Sequence, residues 1–89
     1  MSYHYPFDES WSKQEIIDVV QFFNLIENAY EKQVRRDDVL AAYNRFKSIV
    51  PAKSEEKTYF ATFEKASGYK CYPVVKQARN TEGKFIKMK

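Results

Sequence analysis

Apolar side chains recur along the chain at helical spacing, and the breaks between them carry helix-start and helix-stop chemistry. Ile16, Val19, Val20, Phe23, Ile26 and Tyr30 follow the i, i+3, i+4, i+7 rule that places side chains on one face of an α-helix. Phe22, Leu25 and Ala29 form a second stripe, roughly 110° away at about 100° per residue. In "WSKQE", Ser12 can accept from the backbone N–H of Glu15 while Glu15 reaches back to the N–H of Ser12, a capping box. Trp11 before the cap and Ile16 at the fourth helical position have the spacing of a hydrophobic staple. The first helix is therefore expected over about residues 13–32.

A short polar break, "QVRRDD", precedes a second helix expected over 37–50. Val39, Tyr43, Phe46 and Val50 share its inner face, and Asp37 and Asp38 stand at its positive end. Pro51 disfavours helical geometry at Val50 and ends it. A third helix is expected over 54–67, with Ser54 as its cap and Glu55 and Glu56 as first-turn acids. Phe60 and Phe63, with Tyr59, Ala66 and Ser67, make its inward face, and Gly68 supplies the left-handed residue that closes it. A fourth helix is expected over 71–79, where Pro73 is harmless in the first turn and Val74, Val75 and Ala78 form a small apolar stripe. "NTEG" breaks this pattern, and "KFIKMK" reads as a frayed end or a short extended piece.

The pattern predicts an all-α fold, one compact four-helix domain over residues 1–80 with an aromatic lead-in, followed by a basic tail at 81–89. Aromatic content sharpens this picture: seven Tyr, seven Phe and one Trp let a short chain bury a large area. The formal net charge of +3 changes it less, because of where the charge lies. Residues 76–89 carry five basic side chains against one acidic, whereas residues 1–75 carry ten against eleven. The surplus belongs to the C-terminal end, so a nucleic-acid face on the helical body is not indicated. The single cysteine excludes an internal disulfide and suits a reducing compartment. With no signal-peptide pattern and no apolar run near the ~18 residues of a membrane span, the expected location is the cytoplasm.

Candidate chemistry is sparse. His4, Asp8 and Glu9 in "HYPFDESW" are metal-ligand types, but no third and fourth ligand stand at a recognisable spacing, so no metal is expected. Cys71 can be a nucleophile near a helix start or a small buried hydrophobe. Two glycines cannot build a phosphate cradle. The neighbouring acids Asp37/Asp38 and Glu55/Glu56 point apart on a helix rather than converging. Neither catalytic residues nor a cofactor is expected. Two surfaces can carry an interaction. One is the stripe Phe22, Leu25 and Ala29, which is either covered by the lead-in and the fourth helix or exposed as a protein-contact or self-association face. The other is Lys84, Lys87 and Lys89 around Phe85, a weak anion-binding candidate.

"YPFDESWSKQEI", "RFKSIVPAKSEEK" and "FEKASGYKCYPVVKQA" together resemble the 0223-type uncharacterised protein family, small cytoplasmic proteins of Gram-positive Firmicutes. The resemblance covers about residues 3–79. It implies a compact all-α fold and no assigned activity, and it transfers no functional residues. Gln33 stands where such proteins often have a glycine. The expected function is thus a non-enzymatic protein acting through protein–protein contact or self-association. The alternative is an RNA- or ribosome-associated accessory protein using the tail with Arg35, Arg36, Arg45 and Lys47.

Overall fold

The computed structural model describes residues 8–88. Among these residues four helices form an all-α domain: α1 (Lys13–Glu31), α2 (Arg36–Ile49), α3 (Lys53–Ser67) and α4 (Cys71–Asn80). A minimal ribbon completes it, β1 (Val34–Arg35) pairing antiparallel with β2 (Phe85–Ile86). No helix among the described residues is long and apolar enough to cross a membrane.

The start of α1 is built as its sequence requires. Ser12 Oγ accepts from the Glu15 N–H at 3.1 Å, and Glu15 returns the contact to the Ser12 N–H at 2.8 Å. Trp11 packs its ring on Tyr59 of α3, with centroids 5.3 Å apart, so it tethers the helix start to a neighbouring helix. Asp8 shapes the approach by accepting the Ser10 N–H on its side chain and the Trp11 N–H on its carbonyl.

α1 lies at the centre and uses both stripes. Val19, Phe23 and Ile26 are buried, and so are Phe22 and Ala29, each 0% exposed. Phe22 stacks on Phe46 of α2 at 5.2 Å and on Phe60 of α3 at 5.8 Å, while Phe23 stacks on Phe63 at 4.6 Å. Ring pairs at these separations add attraction beyond area burial, about 0.5–1.5 kcal/mol each. The inner faces of α2 and α4 follow the periodic pattern: Val39, Tyr43, Phe46 and Val50, then Val74, Val75 and Ala78, are all buried.

Two caps differ from expectation. α3 begins one residue early at Lys53, with Ala52 as its cap and no side-chain capping bond, so Ser54 is not the N-cap. α1 closes at Lys32 with φ −138°, and among the described residues no non-glycine residue has a positive φ, so position 33 needs no glycine: the chain runs on into β1. Gly68, at φ 82°, does take the left-handed position that ends α3.

The C-terminal segment is part of the fold rather than a separate tail. Ile86 is fully buried opposite Val34. The Met88 N–H donates to the Ala29 carbonyl at 2.7 Å, and the Arg36 N–H donates to the Lys84 carbonyl at 2.8 Å. A helix leaves its last carbonyls without intrahelical partners. Met88 satisfies one at the end of α1, and Arg36 Nε donates to another, Ala78, near the end of α4 at 2.6 Å.

Candidate functional site: a buried carboxylate under an open helix face

Glu56 is the side chain whose burial its place in the helix does not reveal. It lies in the first turn of α3, where an acid is favoured at the positive end, yet it is 0% exposed. Three donors from two other helices converge on it. The Tyr43 hydroxyl of α2 donates to Oε2 at 3.0 Å, the Tyr72 hydroxyl of α4 donates to the same oxygen, and Lys47 Nζ of α2 pairs with Oε1. Burial alone opposes the charge on Glu56. The bonds from Lys47, Tyr72 and Tyr43 outweigh it and hold the carboxyl below its ordinary value. The same contacts act in reverse on the phenols: burial and the adjacent carboxylate push Tyr43 and Tyr72 upward. Glu56 therefore stays ionised and the two phenols protonated, a satisfied polar junction of α2, α3 and α4.

Above this junction lies the outer face of α4. Tyr72 is 39% exposed although its hydroxyl is fixed on Glu56 and its ring meets Phe60 edge-on at 4.9 Å. Tyr72, Pro73, Val75, Lys76, Arg79 and Asn80 line an open groove of about 630 Å³. Arg79 is held over the Tyr43 ring, 5.2 Å from its centroid. A smaller hollow of about 280 Å³ on the other side of Tyr72 reaches Cys71, Lys57, Glu64 and Lys70. Cys71 itself is buried, and burial, with Glu64 and Glu56 nearby, pushes its thiol strongly upward. That is the reverse of the shift a nucleophilic thiolate needs.

The interaction stripe expected on α1 is not on the surface. Phe22 and Ala29 sit in the core, and Leu25 is partly buried against it, with Phe46 of α2 and Phe60 of α3 stacked on Phe22. Lys84 and Lys87 are exposed, and Lys89 lies outside the described residues. The ribbon register places Arg35 opposite Phe85, which is 54% exposed. Arg36 and Lys47 are instead engaged by the fold, with the Ala78 carbonyl and Glu56 respectively, while Arg45 is exposed and paired with Asp18. His4 lies outside the described residues, and Asp8 and Glu9 are exposed. Among the described residues no three metal-ligating side chains gather. The Glu56 junction has one sequence signal: two tyrosines and a lysine fall on inner or flanking positions of α2 and α4, where a polar group must find a partner.

The sequence model of the uncharacterised protein family UPF0223 matches residues 2–87. The chain belongs to this family. The match runs past Arg79 and includes Ile86, in keeping with a C-terminal segment that contributes to the core. The chain is 64% identical to a UPF0223 protein of Oceanobacillus iheyensis over 88 residues, covering 99% of this chain and 100% of that one. It is 55% identical to one of Lysinibacillus sphaericus, covering 99% and 94%. To a UPF0223 protein of Bacillus subtilis it is 49% identical, covering 99% and 100%. Membership in UPF0223 carries no assigned activity, so the reading of function rests on the geometry of α4 and its surroundings.

Proposed function

We propose that this protein is a non-enzymatic cytoplasmic protein that acts by contact with another protein, and that α4 carries the contact. The observation behind this reading is the groove along Tyr72, Pro73, Lys76, Arg79 and Asn80, whose aromatic wall is fixed from beneath by Glu56. A rigid aromatic beside an arginine is the composition that anchors protein interfaces. The polar groups beneath the groove, Glu56 with Tyr43, Tyr72 and Lys47, bond to one another, which suits a positioning role better than catalysis. Placing a photoreactive side chain at exposed Asn80, with Gln14 on α1 as the control, tests this in producing cells. A protein adduct from position 80 and none from position 14 is the expected result. No adduct at 80, or equal adducts at both, overturns the reading.

A second reading, an RNA-associated accessory role, is favoured by one observation: the exposed Phe85 ring stands opposite Arg35 and between Lys84 and Lys87. A stacking platform flanked by cations suits single-stranded nucleic acid. Binding that falls steeply with salt and is lost in Phe85→Ala supports it; salt-independent binding, or none, removes it.

A further inference from the structure

The groove on α4 has a definite charge. Its ionised lining residues are Lys76 and Arg79, both exposed. They are three positions apart on the helix and therefore neighbours on its surface. Among the described residues the ion pairs are Arg36–Asp37, Arg45–Asp18 and Lys47–Glu56, so neither groove cation is matched by a carboxylate. The apolar part is preformed. Tyr72 is held by its hydroxyl and by Phe60, Pro73 is exposed beside it, and Val75 forms the buried floor. A fixed aromatic wall lowers the ordering cost of binding.

We infer that the groove takes an acidic segment of a different protein, with a carboxylate between Lys76 and Arg79 and an apolar side chain against Tyr72 and Pro73. The inference rests on the contact reading above and names its partner class by charge complementarity. A nucleic-acid strand fits the place less well. Beyond Tyr72 the adjoining hollow mixes Lys57 and Lys70 with Glu64, so no continuous cationic track follows the groove.

Titration of the full chain with short synthetic peptides, followed by amide NMR, tests the partner class. The probes are a Leu/Glu peptide, its Leu/Gln counterpart and an oligouridylate. The Leu/Glu peptide is expected to shift amides of residues 72–80, and the Leu/Gln peptide to bind about tenfold more weakly. The double variant Lys76→Glu/Arg79→Glu should lose the peptide by a similar factor, and Lys76→Glu alone, which leaves Arg79 over the Tyr43 ring, should lose part of it while keeping its thermal melt. Lys84→Glu/Lys87→Glu, with the same change of net charge elsewhere, should retain it. Equal binding of both peptides, tighter binding of the oligouridylate, or equal loss in both double variants overturns the inference. The adducts formed at Asn80 separate the two levels. An adduct with a second copy of this chain, or with a segment lacking carboxylates, overturns the acidic partner and leaves protein contact standing. No adduct at all removes the contact reading itself.

Discussion

Glu56 sits where three helices meet, and its neighbours make its charge a structural element. Removing the carboxylate strands two phenol hydroxyls and an ammonium at a buried junction. Lys47 and Tyr72 can each recover some hydration because both are partly exposed, whereas Tyr43 is buried. Glu56→Ala should therefore cost about 3 kcal/mol in urea denaturation, the range for breaking a buried pair. The junction also sets a pH window. Folding holds Glu56 below its ordinary value of 4.5, so this contribution is present above about pH 4.5 and is lost as pH falls toward the lowered value. Tyr43 and Tyr72 are raised above 10.0, so their contribution is full below pH 10 and is lost as pH rises past it. The unfolding midpoint should be flat between about pH 4.5 and pH 9, above which the buried Cys71 thiol, raised from its ordinary 9.0, adds to the alkaline fall, and the acid-side fall should shrink in Glu56→Gln. An unchanged acid limb in that variant would show that other carboxylates control it.

The C-terminal ribbon shows how far two residues of pairing can matter. β2 contributes one inward side chain, Ile86, and places Met88 to donate to the end of α1. Ile86→Ala should cost about 2–4 kcal/mol, as deletion of a fully buried aliphatic side chain does. Lys87→Ala, one residue on and exposed, should change stability by no more than about 0.5 kcal/mol. Equal stability of the two variants in urea would mean that the ribbon is not part of the cooperative unit. The alternation in "KFIKMK" was visible in sequence, but its partner was not. Pairing with Val34 joins positions about fifty residues apart, and no local rule encodes that choice.

At the scale of the molecule, the aromatic core decides which surface is free. α1 is apolar on more than half its circumference, and periodicity leaves two outcomes for its second stripe: core or interface. The fold covers the second stripe, stacking Phe22 between Phe46 and Phe60. Phe22→Glu should then abolish the cooperative unfolding transition, because loss of the ring, about 3–5 kcal/mol, adds to the cost of burying an unpaired carboxyl and together they consume much of the ~5–15 kcal/mol of a typical domain. A folded Phe22→Glu protein by circular dichroism and amide NMR would contradict that packing. With the second stripe of α1 covered, the outward face of α4 is the surface on which a fixed aromatic and two cations meet.

Local chemistry, by itself, determined the helices. The Ser12–Glu15 box, Pro51, Gly68 and the periodic apolar positions act through neighbours within four residues, so the four helices and most of their inward faces were legible in the chain. Only the tertiary structure decided which acid is buried, which apolar stripe is covered and where the last residues go. Those outcomes depend on what another helix presents across the interface: Tyr43, Lys47 and Tyr72 to Glu56, the rings of α2 and α3 to Phe22, and Val34 to Ile86. Hydrophobic burial has no direction along the sequence, whereas a hydrogen-bonded junction needs all its partners assembled at once.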